Sequence, residues 1–263
     1  MDPATIAAAL LAGALIGLVL GLVGGGGSIL AVPLLVYFVG VGSTHAAIGT
    51  AAVAVALNAA AGLAGHARAG NVKWPCALVF AAAGIAGAAL GAELGKATDG
   101  TALLALFGAL MIGVGLAMLR KRKGEPQPDV RLTRTSAGQL LPRLVPAGLG
   151  VGGLAGFFGI GGGFLIVPGL LWATAMPIGV AIGTSLVVVT ALGASTAGSY
   201  ALSGYVDWPL VGLMVAGGIA GTIPGQWAGR KLSAHKRALN AGFAVVVIGV
   251  GGYVVAQGLA AWG

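Results

Sequence analysis

Charge is scarce in this chain. Only 8% of its 263 residues are Asp, Glu, Lys or Arg, where a soluble domain carries about a quarter. That excludes a soluble domain of any size. A single cysteine, Cys76, excludes an internal disulfide and a Cys-rich metal site. His45, His66 and His235 are scattered without ligand spacing, and no acid pair or activated nucleophile accompanies them. The reading is therefore of a protein with no metal centre, no cofactor and no catalytic constellation, so not an enzyme. The net charge of +8 could suggest nucleic acid as a partner. The simpler cause is the Lys and Arg that cytoplasmic loops of membrane proteins collect.

Hydrophobic residues, in contrast, make up 58% of the chain, the mean hydropathy is +1.01, and there are 50 glycines. Apolar segments run over 4–22, 28–41, 45–65, 74–94 and 101–119, then 140–158, 163–175, 179–201, 208–228 and 238–258. The predicted class is an all-α integral membrane protein with about eight to ten membrane segments. The run after Met1-Asp2-Pro3 reads as a first membrane segment and not as a cleaved leader. Crossing a bilayer takes about 20 apolar residues, so the second segment of each half is too short to cross unaided. Residues 120–139 form a basic, proline-containing linker between a first repeat, 1–119, and a second, 140–263. The segments themselves are expected to be free of Lys and Arg.

A glycine-rich run precedes each short segment: Gly21-Leu-Val-Gly-Gly-Gly-Gly-Ser-Ile-Leu-Ala-Val-Pro33, and Gly156-Phe-Phe-Gly-Ile-Gly-Gly-Gly-Phe-Leu-Ile-Val-Pro168. Unwound backbone in lipid must be buried in protein or line a polar cavity, and paired breaks are the usual pointer to a transporter's binding site. The same register of 134 or 135 residues aligns Ala46-Ala-Ile-Gly-Thr50 with Val180-Ala-Ile-Gly-Thr184, and Gly70-Asn-Val-Lys-Trp-Pro75 with Gly204-Tyr-Val-Asp-Trp-Pro209. The chain is an internal duplication. With the linker in the cytoplasm, every basic residue but Lys96 falls inside. Lys73, inside, then corresponds to Asp207, outside, so the repeats are expected to be inverted, each glycine run turning a hairpin with both termini outside.

The paired glycine-to-proline motifs, the duplication and the basic linker resemble the sulfite exporter TauE/SafE family, also called toluene sulfonate uptake permeases. The resemblance covers nearly the whole chain. It implies a secondary transporter of small sulfur-containing anions, such as sulfite or organosulfonates, in the bacterial inner membrane. A channel-like anion conductor built from the same broken helices is the alternative, and the lipid bilayer is the other partner. A homodimer is left open.

A helix restarting after a glycine run exposes its first N–H groups and about half a positive charge. Gly26, Gly27 and Ser28 offer such donors in the first half, and Gly161, Gly162 and Gly163 in the second. Facing each other, the two ends suit a sulfite or sulfonate group. Tight helix crossing is the competing use of these glycines. Thr50, Asn58, Thr184 and Ser185 complete the candidate substrate-binding set as polar residues at membrane depth. Asn58 is expected to face a cavity or a partner helix. Glu93 is read as a surface charge beside Lys96.

Overall fold

The computed structural model describes residues 1–119, 130, 132–133, 135–158, 163–231 and 236–260. Among them the chain is helical throughout, with no strand. α1 (Pro3–Val23) is followed without a coil by an arm that winds as 3₁₀-helix over Gly24–Leu30, as one α turn, α2 (Ala31–Pro33), and as π-helix over Leu34–Val39. Then come α3 (Thr44–Arg68), α4 (Trp74–Ala97) and α5 (Gly100–Leu119). The second half holds α6 (Ala137–Phe157), the short α7 (Gly163–Thr174), α8 (Ile178–Leu202), α9 (Trp208–Lys231) and α10 (Lys236–Ala260). Among the described residues eight helices are long and apolar enough to cross a membrane, and the two arms are not. At 1.5 Å per residue, α3 reaches about 37 Å and α7 about 18 Å, against a hydrocarbon core of about 30 Å.

One expectation needs correcting. Arg143 lies inside α6, the seventh residue of a helix that begins at Ala137. It is exposed, and about 10 Å from the helix start its long side chain can reach the headgroup layer.

The helix ends follow from local chemistry. α3 starts at Ser43, whose hydroxyl accepts from the Ala46 N–H. Gly70 and Gly204, at φ +70° and +75°, close α3 and α8 in the same way: Asn71 N–H reaches His66 O and Tyr205 N–H reaches Tyr200 O. Pro33 stands at the boundary where α winding gives way to π winding.

Small residues decide which helix meets which. α1 lies on α9 so closely that a Cβ on Gly13, Gly17 or Gly21 would sit 2.3, 1.9 or 2.7 Å from the carbonyl oxygens of Met214, Gly218 and Thr222. α6 lies on α4 in the same manner: Gly148, Gly152 and Gly156 face the carbonyls of Phe80, Gly84 and Ala88 at 2.7, 2.1 and 2.0 Å. Without a hydrophobic drive in lipid, such backbone approach supplies the van der Waals contact that holds helices together. α5 pairs with α10, and α3 with α8 at the centre, where Gly193 packs on Ala56. α3 is the most enclosed membrane helix, 72% of its apolar window being buried, against 33% for α5.

Candidate functional site

The first glycine run is a reversal and not an unwound stretch. Gly27 stands seven residues beyond Leu20, about 10 Å in a continuing helix. A Cβ on Gly27 would nevertheless lie 2.6 Å from the Leu20 nitrogen and 2.9 Å from the Ile16 oxygen. The chain therefore doubles back at residues 24–26, and Gly27 rests on the backbone of α1. Glycine is required there because a side chain would collide with the backbone of α1. Ser28 and Ile29, next along the arm, are fully buried. The arm then packs on α7 and α8. α7 opens with buried Gly163 and Phe164, while Gly161 and Gly162 lie outside the described residues. The two short arms thus meet inside a shell of longer helices.

The remaining predicted site residues are not brought to that meeting point as a group. The Thr50 hydroxyl accepts from the Asp207 N–H at 3.0 Å, and the Thr184 hydroxyl accepts from the Lys73 N–H at 3.0 Å. Each threonine therefore holds the backbone just before a Trp-Pro helix start in the other half of the chain. The glycine before it closes the same contact: a Cβ on Gly49 would lie 2.0 Å from Tyr205 O, and one on Gly183 2.2 Å from Asn71 O. Lys73 follows the end of α3 and Thr50 is near its start, so the two clasps are separated by about 27 Å along that helix. Ser185 donates to Ile182 O within its own helix. Asn58, 1% exposed, faces a partner helix, donating to Met214 O at 3.4 Å. It lies flat on Gly218, where a Cβ would meet its amide at 2.1 Å. Its Oδ1 has no hydrogen-bond partner among the described residues.

Three polar contacts escape inspection of single residues, because they join segments far apart in sequence. Gln226 of α9 donates to Gly62 O at 2.9 Å. At the C-terminal end of α4, Lys96 Nζ reaches Glu93 Oε1 at 2.7 Å, as the i, i+3 spacing suggests, but it also donates to Ser203, just past α8, at 3.1 Å. Ser199 of α8 donates to Glu93 at 3.0 Å. Nearby, the Asp99 carboxylate accepts from the N–H groups of Ala102 and Thr101, which hold its pKa below the usual carboxylate value and cap α5. At the other end of α4 a cleft of about 320 Å³ is lined by Val72, Lys73, Trp74, Cys76, Leu132 and Thr133. Among the described residues no three His, Cys, Asp or Glu gather as metal ligands.

Eight helices long and apolar enough to span, with two short arms that meet among them, define a multi-pass membrane protein, and the comparisons give its class. The family model described as "Sulfite exporter TauE/SafE" matches residues 9–254. A probable membrane transporter protein of Xylella fastidiosa (strain 9a5c) is 47% identical over 249 residues, covering 92% of each chain. The probable membrane transporter protein YunE of Bacillus subtilis (strain 168) is 28% identical over 239 residues, 84% of this chain and 85% of its own. No solved structure matches. The chain belongs to the TauE/SafE family of membrane transporters.

Proposed function

We propose that this protein is a secondary transporter carrying small sulfur-containing anions, sulfite or organosulfonates, across a bacterial inner membrane, with the linker cytoplasmic and both termini outside. The anion is held between the N-terminal ends of the two arms, by N–H groups of Gly26, Gly27 and Gly161 to Gly163 and by Ser28. Together the two helix ends supply about one positive charge without a buried cation. A buried Lys or Arg costs about 3 kcal/mol on insertion scales and can hold an anion too firmly for turnover.

The observation that carries this reading is the contact between two arms, each too short to cross, with the fully buried Ser28 at the turn of the first. Irregular backbone at membrane depth is tolerated where it is buried in protein or lines a cavity, and in transporters paired breaks point to the binding site. Inversion of the repeats is supported by the equivalent helices α3 and α8 running antiparallel, the start of each set against the end of the other by a threonine clasp, and the helix pairs exchange as a two-fold relation requires. Shifting α1 and α9 by one repeat gives α6 and α4, which touch through the equivalent glycines. The two threonine clasps exchange likewise. The substrate class draws on the family's description, since the relatives' names say only that they are transporters.

Proteoliposome uptake of labelled sulfite tests the proposal. Wild-type protein is expected to show saturable flux, and Ser28→Ala to raise KM about tenfold, the loss of one hydrogen bond to a charged ligand. A folded Ser28→Ala protein with unchanged KM would remove the arm site from the account.

A further inference from the structure

The contact between α4 and α8 near Lys96 carries more polar chemistry than helix packing requires. Thr196, Ser199 and Tyr200 of α8, with Ser203 just past its end, stand at spacings of three, four and seven and so form one polar stripe. The helix's face toward α4 is marked by Leu192 on Gly84, Ser199 on Glu93 and Ser203 on Lys96. Thr196, one turn beyond Leu192, lies on that face. Tyr200, the next residue after Ser199, packs toward α3, its Cβ 3.0 Å from where a Cβ on Gly49 would stand.

Thr196 and Tyr200 are both 0% exposed, and neither hydroxyl has a hydrogen-bond partner among the described residues. Leaving a hydroxyl buried and unpaired costs about 1–3 kcal/mol. Two of them, one turn apart on the helix that also carries Ser199, form a donor set without an acceptor. Lys96 itself is only 16% exposed, while its partner Glu93 is 68% exposed. The carboxylate can swing away into solvent; the ammonium remains. Released from Glu93, Lys96 and Ser199 regain free donor capacity beside the two unpaired hydroxyls. Ser203 continues to accept from Lys96 while donating to Ser199 O.

We infer that Lys96, Ser199, Tyr200 and Thr196 form a second oxyanion-binding station at the Lys96 end of α8, with the Glu93 carboxylate occupying it until an anion displaces it. The inference rests on the anion-transport reading and deepens it. In the proposed orientation this is the outer face and Lys96 its one basic residue, so the station receives or releases substrate there.

The experiment exploits opposite signs. In proteoliposomes of uniform orientation, KM for sulfite is measured separately from the outer and inner faces. Lys96→Gln should raise the outer KM about tenfold, and Tyr200→Phe and Thr196→Ala a few-fold each. Glu93→Gln should lower it, because the competing carboxylate is gone. The inner KM should change in none of them. Tyr200→Phe keeps the ring packing and removes only an unpaired hydroxyl, so its effect is not one of folding.

If Lys96→Gln and Glu93→Gln shift KM in the same direction, or neither shifts it while wild-type flux persists, the ion pair merely joins two helices and the station is overturned. Wild-type protein without saturable sulfite flux would overturn the transport reading and the station with it.

Discussion

The junction of α4 with α8 and that of α9 with α3 occupy equivalent places in the two halves, yet they are furnished differently. At the first, an ion pair and two serines bridge the helices, and α8 carries two buried, unpaired hydroxyls. At the second, Trp227 stands where the first half has Glu93. The cross-helix bond is a neutral amide, Gln226 to Gly62 O, and Lys231 turns back over the Trp227 ring at 3.9 Å. The backbone contacts beneath them are alike. Each junction lies beside a clasp of one glycine and one threonine on the loop of the other half. The equivalent parts in which backbone meets backbone are alike in the two halves, whereas the side chains at the two junctions differ. A carrier that takes its substrate on one side and releases it on the other needs such a frame with different ends.

The clasps give the sharpest way to break this comparison. A methyl group at Gly49 or Gly183 has no space, since carbonyl oxygens stand at 2.0 and 2.2 Å. Gly49→Ala and Gly183→Ala should therefore each destabilise the protein by about 3 kcal/mol or more. Thr50→Val and Thr184→Val, which remove one hydrogen bond apiece, should cost about 1 kcal/mol. Unfolding in detergent checks both pairs. Equal losses at the equivalent positions support a shared frame; a large loss in one half and none in the other would break it.

A smaller effect separates the arms. Gly40, at φ +83°, ends the first arm, and Ala175, at φ +54°, ends the second at the equivalent position. An L-residue held left-handed costs about 1–2 kcal/mol. Ala175→Gly should thus stabilise the protein by up to about 1 kcal/mol, while Gly40→Ala should destabilise it by a similar amount, read as opposite shifts in Tm.

Much of the fold is legible in the sequence, because its signals are local. Trp74-Pro75 and Trp208-Pro209 mark helix starts within a residue, and the chain's low charge leaves few other readings for its apolar runs. Partner choice is not legible. Glycine and alanine fill every helix, so the stripe of Gly13, Gly17 and Gly21 looks like many others until a carbonyl row stands against it. The hydroxyls show the same limit. Thr50 and Thr184 read equally well as locally bonded or as lining a path, and their actual partners are backbone N–H groups 157 and 111 residues away. Glycine at position 27 supports both donation to an anion and close packing; only the neighbouring Ile16 and Leu20 reveal the packing role. Glu93 beside Lys96 was visible from the three-residue spacing, whereas the serines that complete the network belong to another helix.

The proposed inversion of the two halves, on which both the arm site and the outer station depend, can be tested directly by thiol labelling. Ala69 and Ser203 are equivalent, exposed residues that follow α3 and α8. In a Cys76→Ala background, Ala69→Cys and Ser203→Cys are each exposed in intact cells to a membrane-impermeant maleimide. The account predicts that Ser203→Cys labels at once and Ala69→Cys only after the membrane is opened. Labelling of both from the same side would contradict it.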